Sequence, residues 1–391
     1  MLLLQIFAAL ATGGAIVWSQ YLGKEDPDNA GLAAKQLVLV TTLLSVVIMA
    51  VCLVFCHGIL RGIYGQLDAD VMSGSQTYFF LTAISYPFIA LYNAGAALFR
   101  AQGNSRVSMF TSLLMNAINI SGNAVLIYGF SWGVAGAATA TLVSRIIGAA
   151  VMIWLLCHGS GFLSGDTLFH FNWQSGMVKN ILRVGIPSGL ENGMFHIGKL
   201  LVQGLIASFG TMAIAANAMT NSVTGFVNVP GNAIGLALIT VVGQCVGAGD
   251  FDAAKKYILK LTGLAYLCAW ALSFALFFAD GPLTHLFGLS PETARLAEEV
   301  INTFCIATVF FWPGAFTVPN GLRAAGDVRF TMLVSVMSMW VFRIGCSYLF
   351  CRAFDLGLVG VWLAMYVDWI VRMIVFGVRL FRGGWKNRQV V

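Results

Sequence analysis

GIPSGLENGMFHIGKLLVQGLIASFG (185–210) is followed without interruption by TMAIAANAMTNSVTGFVNVPGNAIGLALITVV (211–242) and GQCVGAGD (243–250). These are two long apolar runs separated by a short turn at Phe209–Gly210–Thr211, and each is longer than the roughly 20 residues that cross a bilayer. Backbone groups inside lipid have no water to bond, so apolar runs of this length predict helices. We therefore expect an all-α polytopic membrane protein in which this helix pair opens the second half.

The composition of the whole chain agrees with a membrane solvent. Of 391 residues, 59% are hydrophobic and 10% are charged, and the mean hydropathy is +0.84. Soluble domains carry about 25% charged residues, so the composition excludes an ordinary soluble protein. Apolar runs of spanning length predict eleven membrane spans, at about 1–22, 37–57, 77–99, 107–129, 133–157, 181–208, 211–245, 257–279, 298–322, 328–351 and 358–381.

The distribution of basic residues predicts the orientation. Lysine and arginine concentrate in alternate loops, including the loop with Arg323, and in the C-terminal tail. The other loops hold Arg61, Arg295 and Arg352. The positive-inside rule then places the C-terminus in the cytoplasm. We expect a multi-pass protein of the cell (plasma) membrane. The net charge of +6 needs no nucleic-acid partner; the lipid bilayer is the expected partner of a monomeric chain.

Three short motifs occur twice, in the same order and at a nearly constant spacing. SQYLGKED (19–26) matches GQCVGAGD (243–250), FRAQGNSR (99–106) matches LRAAGDVR (322–329), and WGVAG (132–136) matches LGLVG (356–360). Such self-similarity indicates internal duplication. An even number of spans in each copy predicts two parallel pseudo-repeats of six helices in the full design. By the same logic the first copy lacks about 40 residues upstream of Met1.

The repeat also predicts the domain organisation. An incomplete N-terminal lobe of about five helices covers 1–158, and a C-terminal lobe of six helices covers 181–391. Between them, 159–180 is rich in Gly, Ser and polar residues, which indicates a cytoplasmic linker.

Three ionisable residues interrupt the first apolar run, namely Glu191, His196 and Lys199, and helical spacing places them on one half of the helix. A charge at mid-membrane costs about 2.5–3.5 kcal/mol on insertion scales, so each group must face water or a partner. The functional interpretation is a proton or cation relay. The structural alternative is that Glu191 lies near the membrane surface and pairs with Lys199.

Amides form stripes on two further helices. Asn217, Asn221 and Asn228, continued by Asn232, recur at helical spacing on the second run; Asn119 and Asn123 make a shorter stripe in the first lobe. Each stripe either faces water along the wall of a cleft or joins helices through hydrogen bonds, which average about 0.6 kcal/mol in membranes.

Two opposite charges lie four residues apart on the last span. An acid and a base at this spacing neutralise each other, so Asp368 and Arg372 predict a structural ion pair, which Arg343 of the neighbouring span could join. No His, Cys or acidic pattern indicates a metal site, and no catalytic residue is predicted.

Four motifs together resemble the multidrug and toxic compound extrusion (MATE) family: Q-x-x-G-x-x-D, R-A-x-G-[ND]-x-R, [WL]-G-x-x-G, and FGTMAIAANA at 209–218. The resemblance runs along the whole chain from the second family helix onward. It implies two six-helix lobes around a cleft and secondary active export of organic, often cationic, compounds against H⁺ or Na⁺, with no other cofactor. Asn119 matches an Asn of the family's first-lobe cation site, whereas Asn123 stands where the family has Asp; Glu191 corresponds to an acid of the second lobe.

Three alternatives to an exporter follow from the sequence. A lipid-linked sugar flippase of the same superfamily should place several arginines in its cavity, whereas these spans offer mainly Lys199 and amides. A membrane-integral enzyme would need a nucleophile–base pair or a metal cluster, and no such motif is present. The third alternative is a truncated product without transport activity.

Overall fold

The computed structural model describes residues 2–65, 68–159 and 173–391, and these are almost entirely helical. The helices are α1 (Leu2–Gly23), α2 (Pro27–Val54), α3 (Cys56–Tyr64), α4 (Ala69–Ile84), α5 (Tyr86–Ala101), α6 (Ser105–Asn123), α7 (Gly133–Gly159), α8 (Ser175–Ala207), α9 (Thr211–Gly247), α10 (Phe251–Leu286), α11 (Pro291–Phe310), α12 (Trp312–Phe316), α13 (Val318–Ala324), α14 (Val328–Met337), α15 (Gly345–Ala353) and α16 (Gly357–Arg382). π-helical turns continue α6 over Ala124–Gly129 and α14 over Ser338–Ile344.

The duplicated motifs lie at helix ends and stop or start helices in the same way in both halves. Asp26 accepts a bond from the backbone N–H of Asn29 at the start of α2, and Asp250 accepts one from Ala253 at the start of α10. The side-chain and backbone N–H groups of Asn29 also lower the pKa of Asp26. Gly103 and Gly326 both adopt positive φ, of 80° and 97°, two residues after the ends of α5 and α13. The motifs are therefore equivalent helix caps.

Eight helices among the described residues are long and apolar enough to cross a bilayer. Two bent helix pairs, Asp70–Ile84 with Tyr86–Ala101 (43°) and Pro291–Phe310 with Trp312–Ala324 (65°), raise the number to ten. Helix α8 does not belong to this set, because its charged and amide side chains lower its hydropathy. The chain is thus a multi-span helical membrane protein, while eleven spans and the pseudo-repeat stay predictions.

The chain divides into two compact units, Met1–Gly189 and Leu190–Val391. The predicted lobe boundary at 181 instead falls inside α8, and the larger part of the predicted linker 159–180 lies outside the described residues. The domain limits therefore stay a prediction. In the first unit Phe7 and Tyr86 meet at 5.9 Å between ring centroids in a buried cluster. In the second unit Phe304 packs edge-on against two tryptophans, Trp362 and Trp369.

Candidate functional site

A cavity of about 390 Å³ lies inside the second unit, which is a volume typical of small-molecule sites. Helix α8 contributes Glu191, Phe195 and Lys199 to its wall. Their spacing of four residues places all three on one helix face, as the helical period requires. His196 of the same helix is half-buried and lines neither this cavity nor the adjoining one described below.

Helix α9 supplies the amide wall of this cavity. Asn221, Thr224, Asn228 and Asn232 line it, so the stripe predicted from helical spacing does follow one wall. The carbonyl oxygen of the Asn228 side chain is buried and has no hydrogen-bond partner within the described part of the chain.

Asn217 lies one turn before Asn221 and lines a second, adjoining cavity of about 350 Å³. Its amide donates to Gln203 at 3.2 Å and accepts from the indole of Trp362 at 3.1 Å. Asn217 therefore joins α8, α9 and α16, which is the structural role that the sequence left open for the stripe. Lys199, Asn221 and Trp362 line both cavities.

Aromatic side chains form a further part of the lining of the first cavity. They are Phe304, Trp312, Phe316, Trp362 and Trp369. Trp312 stacks on Phe316 with ring centroids 5.4 Å apart, in the short helix that follows the 65° bend. The sequence did not indicate this part of the lining, because lipid-facing and cavity-facing aromatic residues are the same residue types.

Glu191 is buried, and its partner is Arg323 of α13, with 2.6 Å between Nη2 and Oε1. The structural alternative, in which Glu191 pairs with Lys199, is therefore not what the structure shows. Arg323 also donates to Asn320 at 2.8 Å and lines the cavity, whereas its sequence position predicted a cytoplasmic loop. The second carboxylate oxygen of Glu191 is buried without a hydrogen-bond partner among the described residues.

Asp368 and Arg372 form an ion pair of 2.8 Å on α16, and both side chains are almost fully buried. Arg372 also donates to the backbone carbonyl of Ser335 at 3.0 Å, and Ser338 donates to Asp368. Arg343 faces the cavity from the π-helical turn at Ser338–Ile344 but does not join the pair by a direct contact. Turns of this kind are common at functional sites because they reorient side chains within a helix.

Three cationic groups surround one aromatic ring. The nitrogen of Lys199 lies 5.4 Å from the centroid of Phe195, and the guanidinium carbons of Arg343 and Arg372 lie 5.6 and 5.7 Å from it. Together with Arg323, these make three arginines in the cavity lining. The expectation that the cavity offers mainly Lys199 and amides as polar groups is therefore wrong. Phe195 lies four residues after Glu191 and four before Lys199, and this helical spacing was the sequence signal that predicts the same face for all three.

The predicted first-lobe residues bond to each other and to a neighbouring helix. Asn119 donates to Thr141 of α7 at 3.1 Å, and Asn123 donates to Asn119 at 3.2 Å. These contacts join α6 to α7 within the first unit. The structure thus brings Glu191, Lys199, Asn221 and Asn228 to one cavity, while Asn119 and Asn123 lie in a different unit.

A helical, multi-span membrane protein with an interior cavity of aromatic, amide and charged side chains has the construction of a transporter. The family model described as MatE matches residues 1–125 and 187–349, and the chain belongs to this family. The predicted family assignment is therefore confirmed.

Relatives and solved structures extend this match over nearly the whole chain. The "Uncharacterized transporter YisQ" of Bacillus subtilis (strain 168) is 29% identical over 395 residues, 99% of this chain and 84% of its own. The "Probable multidrug resistance protein NorM" of Thermotoga maritima is 27% identical over 340 residues, covering 85% and 72%. An outward-facing multidrug resistance MATE family transporter shares the fold at a TM-score of 0.91 and 20% identity, covering 100% and 86%.

Proposed function

We propose that this protein is a secondary active exporter of small organic compounds, driven by exchange with H⁺ or Na⁺ through alternating access. It works as a monomer in the plasma membrane with its C-terminus in the cytoplasm, and the coupling ion is its sole cofactor. Relatives named as transporters and as probable multidrug resistance proteins support export as the activity.

The cavity of the second unit is the observation that carries this proposal. Its walls combine tryptophan and phenylalanine rings with amides and charged groups from several helices of the second unit. Broad apolar surface with a few polar groups is what a site for varied organic molecules requires. Charged side chains within a membrane span are costly, and their presence here favours a water-filled substrate path.

Glu191 is the proposed coupling residue. Arg323 occupies one of its carboxylate oxygens, and the other is buried with no partner within the described ranges. A proton or Na⁺ that reaches the free oxygen competes with Arg323 for the carboxylate. Ion binding then acts on a contact between α8 and α13, and it shifts the conformational equilibrium to the extent that the two states bind the ion differently.

The variant Glu191→Gln tests the coupling. Uptake of ethidium and of naphthalene-1-sulfonate is followed in proteoliposomes under an imposed pH or Na⁺ gradient. We expect the response of the transport rate to the imposed gradient to be lost, because the glutamine amide does not exchange a proton or Na⁺ against the Arg323 contact. Transport by this variant at the wild-type rate would remove Glu191 from the mechanism.

Asp327→Asn is the matched control for this experiment. Asp327 pairs with Arg379 at 2.7 Å and lines neither cavity, so the variant also breaks a partly buried ion pair. We expect its transport rate to equal that of the wild type. An equal loss in both variants would mean that Glu191→Gln acts through stability alone.

A lipid-linked sugar flippase is the second candidate, because three arginines line the cavity. Guanidinium groups bind phosphate oxygens in a bidentate manner, as a pyrophosphate carrier requires. Flipping of a fluorescent lipid-linked pyrophosphate sugar in the same proteoliposomes, without transport of either small probe, would favour this candidate over the exporter.

A further inference from the structure

The charges around the cavity do not balance. Within the described part of the chain its lining contains four basic side chains and a single carboxylate, that of Glu191. Glu191 neutralises Arg323, and the buried carboxylate of Asp368 neutralises Arg372. The remaining basic residues are Lys199 and Arg343, and no carboxylate of the described residues forms an ion pair with either.

Lys199 and Arg343 lie near the same aromatic ring of the cavity. Both lie within 5.6 Å of the Phe195 ring centroid, and both line the wall between the two adjoining cavities. The Nε–H of Arg343 is buried without an acceptor among the described residues, and the Lys199 side chain is exposed. Like charges placed side by side repel each other, and a buried donor without an acceptor is costly. An anion bound in the cavity beside both groups offsets their mutual repulsion.

We propose that Lys199 and Arg343 bind the anionic group of an amphipathic organic molecule, a carboxylate, sulfonate or phosphate ester. The tryptophan and phenylalanine wall holds the apolar body of the same molecule, and the α9 amides donate to its remaining acceptors. The charges and positions of Lys199 and Arg343 support this site independently of transport. Its ligand is a transport substrate only if the proposed exporter function also holds. A cationic substrate, which the family resemblance implied, meets repulsion here.

Two probes of equal size and opposite charge test the proposal. Binding of naphthalene-1-sulfonate and of 1-naphthyltrimethylammonium to the purified full chain is measured by equilibrium dialysis in detergent. We expect saturable binding of the sulfonate and weaker binding of the cation. Since a hydrogen bond to a charged group contributes about 1.5–3 kcal/mol, Lys199→Gln or Arg343→Gln should weaken sulfonate binding about 10- to 100-fold. Lys199→Arg, which keeps the charge, should restore most of it.

Matched controls separate this effect from general loss of charge. Lys255 lies 5.2 Å from the Phe381 ring, and Arg352 lies 5.8 Å from the Tyr348 ring, both outside the cavity lining. Lys255→Gln and Arg352→Gln should bind the sulfonate as the wild type does. Preferential binding of the cation, or equal sulfonate affinity in all four glutamine variants, overturns the proposal.

Two further measurements assign the source of the anion and separate the site from transport. Displacement of the sulfonate by phosphatidylglycerol in the micelles supports the anion site and identifies a lipid head group as its ligand; no displacement supports a soluble anion. Sulfonate binding that depends on Lys199, without gradient-driven uptake of either probe in proteoliposomes, refutes the exporter and keeps the site. Gradient-driven ethidium uptake without sulfonate binding refutes the site and keeps the exporter.

Discussion

Replacing Asp368 by asparagine tests how strongly the ion pair on α16 stabilises the second unit. Asn is nearly isosteric and still accepts hydrogen bonds from Ser338 and Arg372, so the substitution removes charge with little change in shape. The guanidinium of Arg372, which is 3% exposed, then has no carboxylate beside it.

The structure places the cost near the lower end of the usual range. Removing one partner of a buried pair costs about 3–5 kcal/mol. Arg372 keeps its bond to the Ser335 carbonyl and its position 5.4 Å from the Phe316 ring, and such a cation–π contact contributes about 0.5–2 kcal/mol. We therefore expect a loss of about 3 kcal/mol. At about 2–4 °C per kcal/mol for a unit of this size, the melting temperature falls by about 6–12 °C.

Thermal unfolding of the purified protein in detergent, followed by intrinsic tryptophan fluorescence, measures this shift. The double variant Asp368→Leu with Arg372→Met is the control, because replacing a buried ion pair by apolar residues of similar volume is often neutral or stabilising. It should recover most of the wild-type melting temperature. A single variant that melts within about 2 °C of the wild type would refute the assigned role, as the pair would then contribute less than about 1 kcal/mol.

Close helix approaches at glycine give two further predictions. A Cβ at position 13 would lie 2.8 Å from the backbone nitrogen of Gly185, which cannot move independently of α8, so Gly13→Ala should destabilise the protein by about 1–3 kcal/mol in the same melting assay. Gly231→Ala should destabilise it similarly, because the new methyl group meets the Trp312 ring, and it should also weaken naphthalene-1-sulfonate binding in equilibrium dialysis by displacing that ring. Gly204→Ala, which meets no atom within 4 Å, should melt at or above the wild-type temperature, and a loss there equal to that of Gly13→Ala would contradict the packing argument.

Local sequence patterns were sufficient for the helices and for contacts within one helix. Hydropathy predicted the apolar helices because the bilayer acts on every span alike. The 3.6-residue period placed Asn221 and Asn228 on one wall, and the four-residue spacing brought Asp368 to Arg372, because both depend only on helix geometry.

These local patterns did not predict contacts between helices that are far apart in the sequence. Glu191 and Arg323 are 132 residues apart in sequence, and their pairing depends on how α8 packs against α13. The π-helical turn that directs Arg343 to the cavity has no signature in its residues SMWVFRI. Arg323 was assigned to a loop from its charge alone. A basic residue at the end of a span is equally compatible with the cytoplasmic surface and with a buried ion pair.

The two unneutralised cations beside Phe195 also bear on the electrical behaviour of the proposed exporter. Moving one elementary charge across a membrane potential changes its free energy by about 2.3 kcal/mol per 100 mV. If alternating access moves the empty cavity across the full field, its two extra positive charges correspond to about 5 kcal/mol per 100 mV. A cell interior that is electrically negative then draws the empty cavity inward, and a monovalent anion bound there halves this bias. Occupancy of the cavity would therefore set the voltage dependence of the cycle.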